Sequence, residues 1–273
     1  MIAKPARVLI IAGSDSGGGA GIQADIKTVT ALGGYAMTAI TAVTVQDTTG
    51  VHSFHPVPPR IVADQIRAVM DDIGADAIKT GMLVSAATVE AIADALARYA
   101  RVPLVVDTVM IAKGGTALLD APGVEAMKRR LFPLAALITP NAPEAARLAG
   151  IGVESPDDLM RAGAMLREQC ATAVLVKGGH LEGETVTDVL VDRNGVHEFA
   201  APRLANPSTH GTGCTLASAI ATGLAQGMAL HDAVVRARAF VREAIRTGLP
   251  FGHGTGPLNH LHAIPPYGQP PHG

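Results

Sequence analysis

Residues 7–32 read Arg7-Val-Leu-Ile-Ile-Ala-Gly-Ser-Asp-Ser-Gly-Gly-Gly-Ala-Gly-Ile-Gln-Ala-Asp-Ile-Lys-Thr-Val-Thr-Ala-Leu32. Residues 7–12, apolar from Val8 to Ala12, read as a buried strand, 13–20 as a glycine-rich loop, and 21–32 as a helix. The same rhythm repeats outward. Residues 35–45 are extended, and 59–73 place Val62, Ile66, Val69 and Ile73 at helical spacing. Strands are expected at 75–79, 103–107, 136–139 and 173–177, with a helix at 85–99 and further helices between. Such alternation predicts βαβ units and an α/β fold with a central, mostly parallel sheet.

Near Val186 the rhythm changes. Residues 186–191 and 196–200 flank Asp192-Arg-Asn-Gly195, which predicts a turn between antiparallel strands. Two long helices follow, the second carrying Leu230, Val234, Ala237, Val241 and Ile245 on one stripe. No repeat or composition break marks a second domain, so residues 1–263 are expected to form one domain. The Pro- and Gly-rich residues 264–273 are expected to be a disordered tail.

The chain has 273 residues, 48% of them apolar, and a formal charge of −2. Nothing electrostatic points to nucleic acid or a membrane surface. Two cysteines, Cys170 and Cys214, suit a reducing compartment. The apolar start is too short for a signal segment, and no run approaches the roughly 18 residues of a membrane span. A cytoplasmic protein is expected.

The chemistry concentrates in Asn206-Pro-Ser-Thr-His-Gly-Thr-Gly-Cys214, a polar loop that runs into a helix signalled by Leu216, Ile220 and Leu224. Gly211 and Gly213 allow close approach to a ligand, and the first helix amides make an anion site. Cys214 falls in the first turn, where the helix dipole is expected to favour thiolate. The plain alternative is a buried, inert cysteine. The chain lacks Gly-x-x-x-x-Gly-Lys-Ser/Thr, so it is no P-loop enzyme. Ile22 stands where the dinucleotide motif needs its third glycine, which disfavours a nicotinamide enzyme.

Several segments together resemble the hydroxymethylpyrimidine/phosphomethylpyrimidine kinases of thiamine biosynthesis, of the ribokinase-like superfamily. They are residues 12–25, residues 41–47, Lys79-Thr-Gly-Met-Leu83, Asp107-Thr-Val-Met-Ile-Ala-Lys113, Leu137-Ile-Thr-Pro-Asn-Ala-Pro-Glu144, Val176-Lys-Gly-Gly-His180, residues 209–215 and Gly256-Pro-Leu-Asn-His260. The resemblance spans residues 8–263, with motifs in family order. Ser16 and Gly17 depart from it, standing where many members have Pro-Ser.

The resemblance implies a three-layer α/β/α domain, commonly a homodimer, that phosphorylates 4-amino-5-hydroxymethyl-2-methylpyrimidine to the monophosphate and then the diphosphate. ATP is the implied donor and Mg²⁺ the implied metal. It casts Cys214 as general base, with Gly211, Thr212 and Gly213 supplying amides to the transferring phosphoryl group. Lys177, Asn141, Thr209 and His210 would meet ATP phosphates, and Asp107 and Glu144 would hold the metal. Asp25 and Gln46 would read the pyrimidine, with Gly21, Met82 and Val109 around its ring. Bland readings stay open for several of these: Glu144 as a carboxylate favoured simply by a first helical turn, Asp25 as an exposed helix residue, Lys177 as a solvated lysine. Pyridoxal or pyridoxine is the rival substrate, and a non-catalytic binder with the same fold is the rival from another class.

Overall fold

The computed structural model describes residues 4–112, 114–170 and 172–265. β1 (Arg7–Ser14) passes through the glycine loop into α1 (Gly21–Ala31), and β2 (Tyr35–Gln46) pairs with a short edge strand, β3 (Val51–Pro56). The alternation continues through α2 (Pro59–Asp72), β4 (Ala77–Thr80), α3 (Ala86–Leu96), β5 (Leu104–Val106) and α4 (Ala121–Ala126). Then come β6 (Leu137–Ile138), α5 (Ala142–Ala149), α6 (Pro156–Cys170) and β7 (Ala173–Val176). The hairpin β8 (Thr185–Asp192) and β9 (Gly195–Pro202) precedes α7 (Thr212–Ala225) and α8 (Leu230–Arg246).

Among the described residues the strands form one sheet in the order β3-β2-β1-β4-β5-β6-β7-β8-β9. The stretch from β2 to β7 is parallel; β3 at one edge and β8 at the other run antiparallel to it, and β9 runs antiparallel to β8. Side chains alternate across a strand, so a run apolar at every position must be covered on both sides. Val8 and Ile10 of β1 pack with α1, α7 and α8, whereas Leu9 and Ile11 pack with α2, α3, α5 and α6. Val105 of β5 and Leu175 of β7 join the first core, and their neighbours Val106 and Val176 the second. This is the expected three-layer architecture.

Two details differ from the sequence expectation. β3, Val-His-Ser-Phe-His-Pro, is an edge strand whose polar side chains hid it. The helix expected over 85–99 ends at Leu96, and residues 97–99 tighten into a single turn. Lys113 and residues 266–273 of the anticipated tail lie outside the described residues. Among the described residues no helix is long and apolar enough to cross a membrane.

Candidate active site

Parallel strands bring their carboxyl ends to one edge of the sheet, and the loops beyond them surround a cleft of about 720 Å³. Every residue singled out above lines this cleft except Asp25: Gly21, Gln46, Met82, Asp107, Val109, Asn141, Glu144, Lys177, Thr209, His210, Gly211, Thr212, Gly213 and Cys214.

The amino end of α7 forms one wall. Gly211 caps the helix in the left-handed region, at φ 84° and ψ 8°. A Cβ there would lie 1.9 Å from the Gly19 carbonyl oxygen, so only glycine lets the two loops meet. A Cβ on Gly213 would lie 3.3 Å from Lys177 Nζ and 3.7 Å from Asp107 Oδ2. Helix amides, an ammonium and a carboxylate therefore share one corner.

Lys177 Nζ donates to Asp107 Oδ1 at 2.9 Å, and Thr139 Oγ1 donates to the same oxygen at 3.1 Å. Burial pushes the Asp107 carboxyl up, but the cations of Lys177 and Lys79 outweigh it and hold the group below its ordinary range. Glu144 Oε2 accepts from the Asn141 amide and from Thr108 Oγ1, both at 2.9 Å, while Asn141 Oδ1 accepts from the Glu144 amide. That reciprocal pair caps α5, so Glu144 serves the helix and faces the cleft at once. Burial pushes its carboxyl above the ordinary value.

Two expectations are corrected. Cys214 is not poised as a thiolate. Burial pushes its thiol up to about 11, and the Lys79 cation and a hydrogen bond from the Gly21 backbone only partly oppose this. Desolvation thus exceeds the helix-terminus effect. Asp25 does not reach the cleft. It is fully buried on the inward face of α1, where Lys79 Nζ donates to its two oxygens at 2.8 and 3.0 Å and Ser218 Oγ donates at 2.6 Å.

The structure adds Asp15, which sequence reading passed over. Its carboxylate accepts from the amides of Gly17, Gly19 and Ala20 at 2.8, 3.0 and 2.8 Å and lies 3.1 Å from His210 Nε2. Burial works against its ionisation, yet the His210 hydrogen bond and these amides hold the carboxyl below its ordinary value. An aspartate opening a run of glycines was the available signal, since its side chain bonds the backbone two residues on. Gln46 Nε2 stands 3.3 Å from His210 Nε2, joining β2 to this loop. Met82 packs with Ala42 and Leu118, with Val109 against them, as an apolar wall.

Among the described residues no group of three or more His, Cys, Asp or Glu side chains is placed to hold a metal alone. Asp107 and Glu144 suit Mg²⁺ better than a transition metal, because Mg²⁺ is held by one or two carboxylates together with substrate phosphates.

Residues 15–259 match the phosphomethylpyrimidine kinase family. The chain belongs to that family. It is 49% identical over 260 residues to the hydroxymethylpyrimidine/phosphomethylpyrimidine kinase of Streptomyces coelicolor, covering 95% of this chain and 96% of that one. It is 53% identical over 254 residues to the thiamine biosynthesis bifunctional protein ThiED of Geobacter sulfurreducens, where 93% of this chain spans 52% of the longer protein. The fold superposes on a Bacillus subtilis pyridoxal kinase in an ADP complex with a TM-score of 0.88 at 35% identity, covering 94% and 98% of the two chains. A phosphomethylpyrimidine kinase from Clostridium difficile gives 0.78 at 42% identity, covering 88% and 99%. Within this kinase family frame the cleft is a candidate phosphoryl-transfer site, with the α7 amides and Lys177 lining one part of it and Gln46, Met82 and Val109 another.

Proposed function

We propose that this chain transfers the γ-phosphoryl group of ATP to the hydroxymethyl group of 4-amino-5-hydroxymethyl-2-methylpyrimidine, and then to the monophosphate so formed. The observation that carries the reading is the convergence of Cys214, the α7 amides and the Lys177–Asp107 pair on one cleft that also has an apolar wall.

The acceptor ring lies against Met82 and Val109, where the Gln46 amide can both donate to and accept from ring substituents. Its hydroxyl faces Cys214. In the free protein that sulfur is a thiol, so its lone pair accepts the hydroxyl's hydrogen bond, and it acts as base in the fraction of molecules where it is ionised. Incoming phosphates draw the Lys177 ammonium, and the amides of Gly211, Thr212, Gly213 and Cys214 meet charge on the transferring group. Asp107 and Glu144 would hold Mg²⁺, which would supply positive charge to neutralise the phosphates during transfer. Asn141, Thr209 and His210 border the same end. We read the protein as cytoplasmic and homodimeric; Val43 and Val45, 53% and 59% exposed on β2 beside the edge strand, favour contact between two copies.

A second reading, pyridoxal as acceptor, is favoured by the likeness to pyridoxal kinase structures. Both rings are flat and bear a hydroxymethyl group. The test is a coupled ATP-consumption assay on the two alcohols side by side, with product masses measured. Mono- and diphosphates of the pyrimidine are expected. Turnover of pyridoxal alone would reassign Gln46 and the apolar wall while leaving the phosphoryl-transfer parts standing.

A further inference from the structure

Beneath the cleft lies a charged cluster that the reaction above does not use. Lys79, Asp25 and Ser218 are each fully buried, on β4, α1 and α7 respectively. Lysine is almost never fully buried unless paired, and a buried ion pair is seldom more stabilising than apolar packing of the same volume. Here Asp25 accepts from Lys79 Nζ through both oxygens and from Ser218 Oγ. Burial pulls the Lys79 ammonium down, but the carboxylates of Asp25 and Asp107 hold it above its ordinary value, so it stays charged. Ser218 follows Cys214 by four residues in α7, which puts the two on one helix face. The cluster therefore ties the helix turn that carries Cys214 to the central strand.

We propose that Lys79 is a positioning residue for phosphoryl transfer, a fixed positive charge held by Asp25 and Ser218 beneath the first turn of α7 that sets the reactivity of Cys214. This rests on the kinase reading of the cleft. The charged groups facing Cys214 are Lys79 from β4, Asp25 from α1, Asp107 beyond β5 and Lys177 beyond β7. Of the charges bearing on the thiol, Lys79 acts most strongly and favours thiolate, while Asp25 and Asp107 oppose it. Cys214 is only partly covered and opens on the cleft, so a small reagent reaches it.

The test is the rate of Cys214 alkylation by iodoacetamide at pH 9, in a Cys170→Ser background and without substrate. Lys79→Met is expected to slow alkylation about tenfold and Asp25→Asn to speed it by a similar factor, one unit of thiol acidity in each direction. Opposite directions are the signature of charge; damage to α7 moves both variants the same way. Equal directions, or no change in folded variants, overturns the proposal. Ser218→Ala keeps both charges in place and decides the matter if a charge variant does not fold. Its kcat is expected to fall about fivefold, the equivalent of one hydrogen bond, with KM for both substrates unchanged. An unaltered kcat overturns the proposal. Alkylation needs no phosphoryl acceptor, so a wrong acceptor leaves this result standing, and a failed contrast here leaves the kinase reading untouched.

Discussion

At the residue scale the site turns on a thiol that the fold keeps protonated. With Cys214 pushed up to about 11, its thiolate fraction grows tenfold per pH unit across the neutral range. If the thiolate is the base, kcat/KM rises with pH from about 7 toward 10. Cys214→Ala is expected to lower turnover roughly 10²–10⁴-fold, the span of a positioned acid–base group, and to flatten that rise. A pH series of initial rates on both proteins checks this; equal slopes would assign the proton to another group. The position of Cys214 was legible from nine consecutive residues, because a glycine-rich turn into a helix dictates where the first-turn side chain points. Its ionisation was not, since both its burial and the charges of Lys79, Asp25 and Asp107 around it come from distant parts of the chain. Asp25 was misread for the same reason. The partner that buries it stands 54 residues away.

At the element scale the cradle depends on two loops that touch without side chains between them. Gly211→Ala sets a methyl group 1.9 Å from the Gly19 carbonyl oxygen and puts alanine in the left-handed region. That region alone costs an L-residue about 1–2 kcal/mol. The two loops must then part, and the α7 amides lose their aim. Gly227 supplies the control, because it too has positive φ, at 81°, but nothing lies within 4 Å of its Cβ position. Both alanine variants are expected to lower the melting temperature by about 2–4 °C per kcal/mol lost. Only Gly211→Ala is expected to lower kcat/KM as well, by more than about tenfold. Equal activities in the pair would mean that the cradle tolerates separation. The helices and the parallel strands were readable because each carries its own periodicity. β3 was not, because an edge strand facing solvent lacks the apolar run that marks a buried one.

At the scale of the whole molecule the two faces of the sheet follow from strands apolar at successive positions, and that much a sequence states directly. How the chain's far end closes onto the site it does not state. His260, near the carboxyl end and 5% exposed, lies with Nε2 2.9 Å from Thr215 Oγ1, one residue past Cys214. Burial, with the nearby Lys27 cation, lowers its pKa from 6.5 to about 4. The folded protein therefore holds this imidazole neutral at pH values where the unfolded chain has protonated it. Between pH 6.5 and 4 the unfolded state binds the extra proton, so stability is full above 6.5 and is lost as the pH falls toward 4. The loss is about 2–3 kcal/mol over that window. The carboxyls of Asp15 and Asp107, held low, withdraw their contribution only at more acid pH. His260→Gln keeps a polar partner for Thr215 and removes the titration. Urea unfolding of both proteins at steps from pH 7 to 4.5 isolates the effect as a difference. The wild-type advantage should shrink steadily on acidification; a constant difference would mean that His260 titrates alike in the folded and unfolded states, and an advantage that grew would mean that a charged contact holds the carboxyl-terminal turn to α7.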